Sequence, residues 1–149
     1  MNGKRERLVA QVGGEIGVLL AGARAVTNEA ALAFVEGQPA LRPAAFHVAR
    51  WLHSFGAARS TEVAVGLGMD KAALSRILAD LEAVGFVVKR PHPVDGRALA
   101  VALTGRGKDR LARVLTEKGV KLNDRLARFD NDELTALAAL LHRLNAREG

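Results

Sequence analysis

The chain has no cysteine, which excludes disulfides, thiolate metal sites and cysteine-based redox sensing. It has no G-x-S-x-G elbow to carry a nucleophilic serine. Its four histidines, His47, His53, His92 and His142, are scattered. The six-residue step from His47 to His53 does not set both on one helix face as an i, i+4 step would, and each histidine reads as a surface side chain. Gly66-Leu67-Gly68 with Lys71 behind it falls short of a phosphate loop, lacking both the preceding strand and the spacing. Long apolar runs are missing too. The longest near the start, Ile16 to Ala23, is far below the roughly 20 residues that a bilayer crossing needs. Gln11 and Glu15 interrupt what would otherwise follow Lys4, Arg5 and Arg7 as a signal segment. These absences predict a cytoplasmic protein that is not an enzyme, holds no cofactor or metal and has no membrane partner.

What the chain does have is apolar residues and positive charge. Its 149 residues, 49% of them hydrophobic, suit one domain with a real core, or a domain with an oligomerisation element. The net charge of +6 is concentrated: Phe86 to Arg113 carries seven cations (Lys89, Arg90, Arg97, Arg106, Lys108, Arg110, Arg113) against Asp95 and Asp109, while the rest has fifteen cations and fourteen anions. A basic segment on an otherwise balanced protein points to a polyanion, nucleic acid ahead of an anionic membrane; the alternative is a solvated face.

Residues 87 to 104 read VVKRPHPVDGRALAVALT. Leu99, Val101 and Leu103 alternate with Ala98, Ala100 and Ala102, which predicts a strand with one packed face, and Val87 and Val88 begin its partner. About eight residues between them form a loop longer than a tight turn requires, stiffened by Pro91 and Pro93. At its tip Gly96 lets the backbone turn, and Asp95 is placed to hold Arg97 by a charge-assisted hydrogen bond.

Helices surround this hairpin. Near the start, Leu8, Val12, Ile16, Leu19, Leu20 and Ala23 recur at helical spacing, with glycines that admit a second helix at close range. Pro43 opens a helix with Phe46, Val48, Ala49, Trp51 and Leu52, ended by Gly56. Ser60 is expected to cap a short helix over TEVAVGL, and Gly68 makes a turn. Asp70 then caps a helix whose Leu74, Ile77, Leu78 and Leu81 share one face. Gly85 stops that helix. Its opposite face carries Lys71, Ala72, Ser75 and Arg76, small, polar and cationic, as the second helix of a helix-turn-helix would.

Thr104 can cap the next helix, with Leu111, Leu115, Leu122, Leu126 and Phe129 at helical spacing and a bend at Gly119. Asp130 and Glu133 form a capping box before a last helix striped by Leu134, Leu137, Leu141 and Leu144. This stripe and the glycine-dotted first helix offer more apolar surface than one small core requires, so packing between two chains is expected over packing within one.

GLGMDKAALSRILADLEAVGFV, KRPHPVDGR and ALAVALTGRG together resemble the winged helix-turn-helix of the MarR family (multiple antibiotic resistance regulators), over about Ser60 to Gly107. Turn, recognition helix, the glycine before the first wing strand, the Asp-x-Arg tip and Leu-Thr-x-x-Gly occur in order. Ala73 stands where family members often carry a hydroxyl, and Gly96 where many carry a second arginine. The resemblance implies a mainly α fold with a β-hairpin wing: one domain over 1–149, a winged core over about 43–104, and dimerisation helices over about 4–35 and 105–147. It implies a homodimeric, sequence-specific transcription regulator, such as a repressor, that binds double-stranded DNA. The DNA face would be Ser60, Thr61, Lys71, Ala72, Ser75, Arg76, Lys89, Arg90, Asp95 and Arg97. Dimerisation would fall to Leu8, Val12, Leu19, Leu134, Leu137, Leu141 and Leu144, and a small aromatic or phenolic effector would meet Phe46, His47, Arg50 and Trp51. The alternative is a dimeric winged-helix scaffold that binds a protein partner, or polyanions without operator recognition.

Overall fold

The computed structural model describes residues 2–146, and among these the chain forms seven helices and two strands. The first helix, α1 (Gly3–Val35), starts where the Asn2 side chain accepts the Lys4 backbone N–H at 3.2 Å. Its 33 residues run for about 50 Å at 1.5 Å per residue. Only its end is buried, through Ala30, Ala31 and Phe34. The stripe of Leu8, Val12 and Leu19 remains exposed, and a Cβ added at Gly13, Gly14, Gly17 or Gly22 would meet nothing within 4 Å. α1 also holds an 18-residue window of mean hydropathy 1.4, so its length and composition alone would permit a bilayer crossing, which the short uninterrupted run did not suggest. Its C-terminal end is instead fixed in the core: Arg110 donates from Nε to the Phe34 carbonyl at 3.0 Å and from Nη2 to that of Glu36, a cation on the negative end of the helix dipole.

α2 (Ala44–Phe55), α3 (Ser60–Leu67) and α4 (Lys71–Ala83) pack on one another. The expected apolar face of α4 is buried throughout, with Leu74, Ile77, Leu78 and Leu81 at 6% exposure or less. Gly68 takes φ +60 at the end of α3, and the Asp70 carboxylate accepts the Ala73 N–H at 3.2 Å to start α4. Ser60 is the first residue of α3 and does not cap it; Glu62 closes the end by accepting the Arg59 N–H at 3.2 Å. A carboxylate at the third helical position reaches back to the residue before the helix, which displaces the cap by one position.

β1 (Val87–Pro91) pairs antiparallel with β2 (Leu99–Leu103), from Val87 opposite Leu103 to Pro91 opposite Leu99. Lys89, Arg90 and Pro91 thus belong to the strand and leave a loop of residues 92–98. The expectation of one packed face is corrected: Ala100, Val101, Ala102 and Leu103 are all buried, whereas Leu99 is 66% exposed. Helices explain this, since β2 lies against α2 and α5 while β1 lies against α4. Ala58 adds a short third rung by exchanging backbone hydrogen bonds with Val101 at 3.1 and 2.7 Å. Leu99, next to the tip, lies beyond all of them.

α5 (Gly105–Lys118) begins with Thr104, whose hydroxyl donates to the Gly85 carbonyl at 2.6 Å and accepts the Gly107 N–H at 3.1 Å. A Cβ on Gly107 would strike the Phe86 carbonyl, so Leu-Thr-x-x-Gly is a staple between α5 and the base of the hairpin. Phe34, Phe46 and Phe86 meet in the core, with ring centroids 6.0 and 5.6 Å from Phe34, beside Leu111. The chain breaks at Gly119 as expected and continues as α6 (Val120–Leu126) and α7 (Asn131–Asn145). Asp130 and Glu133 form the expected capping box at 2.8 and 2.9 Å. α7 buries none of its residues. Leu122 and Phe129, at helical spacing with Leu111 in the sequence, are exposed, because the core ends with the first half of this arm.

Candidate nucleic-acid interface

The interface is built on two helices that need each other. α3 is eight residues long, too short to hold together alone, and it persists because Val63 and Ala64 are buried against its neighbours. Burying Leu74, Ile77, Leu78 and Leu81 in α4 turns its other face to solvent, where Lys71, Ala72, Ser75 and Arg76 are all exposed. Ser60 and Thr61 are exposed on the first turn of α3, Lys89 and Arg90 on β1, Asp95 and Arg97 at the tip. Three ion pairs form among the described residues, Arg59 with Asp95, Lys89 with Glu82 and His92 with Glu62. Lys71, Arg76, Arg90 and Arg97 take part in none of them. Lys89 is only loosely engaged, with Nζ 4.0 Å from the Glu82 carboxylate on α4.

The wing is tied to α3. Asp95 was expected to hold the Arg97 side chain; its Oδ1 accepts only the Arg97 backbone N–H, at 3.2 Å. Its Oδ2 accepts instead from the Arg59 guanidinium at 2.9 Å. Proximity in sequence suggested the wrong arginine: the carboxylate that shapes the tip pairs with a guanidinium distant in sequence, that of Arg59. His92, expected as a surface side chain, is only 12% exposed. Its Nε2 lies 3.2 Å from Glu62 Oε1, while Nδ1 accepts the N–H groups of Val94 and Asp95 at 3.2 and 3.1 Å. Arg59, Glu62 and His92 are therefore residues of the candidate site that sequence reasoning missed. Glu62, three positions after Arg59, carried the one readable signal, a helix-start carboxylate.

The four residues expected to meet an effector do not all reach the surface. Phe46 is fully buried and belongs to the core, since it faces Phe34. His47 and Arg50 are exposed, and Trp51 is half-buried. The His47 ring lies 5.4 Å from Phe46, and its pKa is lowered by partial withdrawal from water and then by the positive charge of Arg50. Trp51 stacks on Phe55 at 4.7 Å and Phe55 on His142 at 4.5 Å, which joins α2 to α7. The residues expected to form a dimer contact are uncovered in the single chain: Leu8, Val12, Leu19, Leu137, Leu141 and Leu144 are exposed and Leu134 is half-buried.

Residues 41–98, which span α2 to the wing tip, match the sequence model of the MarR family. Over these residues the chain is similar to the MarR family. Among curated relatives, this chain is 33% identical over 78 residues to YdgJ of Bacillus subtilis, an uncharacterized HTH-type transcriptional regulator, a match that covers 52% of this chain and 48% of that one. HTH-type transcriptional regulator MT0903.1 of Mycobacterium tuberculosis is 32% identical over 60 residues, 40% of this chain and 42% of that protein. The chain thus spans about half the length of the curated relatives it matches. Among solved structures, a MarR family protein from Bacillus stearothermophilus superposes with a TM-score of 0.63 at 19% identity, covering 97% of this chain and 95% of that one. A mutant MarR from E. coli complexed with operator DNA superposes with a TM-score of 0.55 at 24% identity, covering 91% and 94%. At these identities the superpositions establish the MarR fold: mainly helical, with a two-stranded antiparallel wing.

The basic segment divides by role within this MarR fold. Arg110 is occupied with the end of α1, and Arg106 lies 5.6 Å over the Phe86 ring at the base of the hairpin. Of this segment's cations, Lys89, Arg90 and Arg97 lie on the wing, and all three are exposed.

Proposed function

We propose that the chain is a sequence-specific DNA-binding transcription regulator, acting in the cytoplasm as a homodimer on a pseudo-palindromic operator. The observation that carries this reading is the outer face of α4: Lys71, Ser75 and Arg76 are exposed beside a cationic wing, and neither Lys71 nor Arg76 enters an ion pair among the described residues. A fold shared with a MarR bound to operator DNA supports α4 in the major groove, with Ser75 and Arg76 at base edges and phosphates, and the wing in the minor groove. Ser60, Thr61, Lys71, Lys89 and Arg90 would contact backbone phosphates, which fix register without reading sequence. The exposed apolar faces of α1 and α7 support the dimer. A small aromatic or phenolic effector would meet His47, Arg50 and the half-buried Trp51, where the Trp51, Phe55 and His142 stack joins α2 to α7.

The deciding experiment compares binding to palindromes from the gene's own upstream region with binding to random duplexes of equal length. Preference by about a thousandfold or more is expected for a specific regulator. Equal binding would leave only a nonspecific polyanion-binding scaffold. Replacing Arg76 with Ala should weaken specific binding more than random binding, because base contacts carry sequence information that phosphate contacts do not.

A further inference from the structure

We propose, resting on the DNA-binding reading above, that His92 is a positioning residue: in its Nε2–H tautomer it clasps the wing loop to the first turn of α3 through Glu62, so that the wing meets DNA already ordered. The tautomer follows from the hydrogen bonds. Nδ1 lies 3.2 Å from the Val94 nitrogen and 3.1 Å from that of Asp95, and both backbone groups are donors. A ring nitrogen that accepts two N–H bonds carries no proton, so the neutral ring holds its proton on Nε2. That nitrogen faces Glu62 Oε1 at 3.2 Å. The same carboxylate oxygen accepts the Arg59 N–H at 3.2 Å, which holds it in place on the helix.

One imidazole therefore joins its own loop to a carboxylate 30 positions away in sequence. Toward the loop it shapes the turn before the tip, and the His92 N–H closes that loop on the Ala98 carbonyl at 2.9 Å. Toward α3 it donates to a fixed carboxylate. The ring is 12% exposed in a loop whose Val94 is 90% exposed. Pro91 and Pro93 flank His92 and restrict the backbone on both sides. The Arg59 to Asp95 bridge at 2.9 Å ties the tip to the same turn of α3. A loop held at two points has little freedom left to lose on binding, and the ordering is completed during folding.

Three variants separate the turn from the clasp. In His92→Asn the side-chain oxygen can still accept the N–H two residues on, as in an Asx turn, but it is too short to reach Glu62. Glu62→Ala removes the partner. Glu62→Gln keeps an oxygen that can accept both hydrogen bonds. With wild-type protein binding a palindromic duplex, His92→Asn and Glu62→Ala should each weaken binding by about tenfold, the double variant by no more than either alone, and Glu62→Gln should stay within about twofold of wild type. Nitrogen-15 NMR of the free protein should place the His92 proton on Nε2, and backbone relaxation should show the loop of residues 92–98 loosened in His92→Asn and Glu62→Ala. A proton on Nδ1, or loop order unchanged in both variants, overturns the clasp even if the wild type binds no DNA, an outcome that would by itself overturn only the DNA-binding reading. Wild-type DNA affinity in both variants overturns the positioning role.

Discussion

The guanidinium of Arg59 and the carboxylate of Asp95 meet at 2.9 Å across 36 positions of the sequence. The pair fastens the wing tip to the start of α3, yet both side chains are more than two-fifths exposed. Pairs of this kind contribute on the order of 0.2–1 kcal/mol to stability. A double-mutant cycle with Arg59→Ala and Asp95→Ala, followed by chemical denaturation, should give a coupling in that range that shrinks as salt is raised past a Debye length of about 8 Å. A coupling above ~2 kcal/mol, insensitive to salt, would show that the bridge acts as a buried one.

Because Asp95 holds Arg59, the Arg97 side chain is left outside every ion pair among the described residues. It is therefore available to a minor groove, whose negative potential is strongest where narrow A·T tracts face the protein. Arg97→Ala should weaken operator binding by about 1–3 kcal/mol while leaving thermal stability and oligomeric state unchanged. Asp95→Ala should act less strongly, by loosening the tip, since it removes no positive charge. Fluorescence anisotropy on a labelled duplex measures both, and equal affinity of Arg97→Ala and wild type would remove Arg97 from the interface.

Gly107 is required by close approach. A Cβ there would strike the Phe86 carbonyl, a backbone atom that cannot turn aside, whereas one at Gly105 would meet nothing within 4 Å. Gly107→Ala should destabilise by about 1–3 kcal/mol through overpacking, and Gly105→Ala should be neutral or stabilising by up to ~1 kcal/mol. Thermal melts of the two variants decide this, and equal midpoints would contradict the staple at the base of the hairpin.

His47 gives stability a pH dependence of determinate sign. Its pKa is lowered by partial withdrawal from water and then by Arg50, so below the ordinary value of about 6.5 the unfolded chain binds a proton that the folded chain resists. The unfolded state then holds more protons, and stability falls as pH drops from about 6.5 through the lowered folded value; above 6.5 His47 contributes no slope. His47→Gln should flatten the denaturation-midpoint profile between pH 5 and 7 (about the range where histidine titrates) and match wild type at pH 8. A steeper profile in the variant would reverse the sign.

Local chemistry made much of the fold legible. Gly68, Asp70, Thr104 and the Asp130 and Glu133 box act within four residues of themselves, and each forms the cap or turn its spacing predicts. The α4 face was readable because four apolar residues at helical spacing have one way to be buried together. Contacts across long stretches of sequence were not. Nothing near Ala58 announces a rung against Val101, and nothing near His92 announces Glu62. Asp95 was given Arg97 because that cation is two positions away, while the one it holds is 36 away. Exposure on α1 and α7 was half legible: the stripes were visible in the sequence, but no pattern in one chain states what covers them.

That covering surface is the subject of the last prediction. Leu137 and Leu141 are 36% and 38% exposed, and α7 buries none of its residues within the chain. Leu137→Glu with Leu141→Glu should therefore leave the winged core folded, while placing charge where a second chain would need apolar contact. If α1 and α7 join two chains about a two-fold axis, the two α4 helices should reach successive major grooves about 34 Å apart, on half-sites roughly 10 base pairs centre to centre. Two lobes neutralising about 7 to 10 phosphates should give a log–log salt slope on the order of −6 to −9. The double variant should sediment as a monomer, lose about half of that slope and bind far more weakly, because one half-site lacks the contribution of the second lobe. Sedimentation and footprinting of the same samples decide between outcomes. A wild-type monomer, or wild-type protection confined to one half-site, would remove the dimeric mechanism while leaving the winged-helix fold in place.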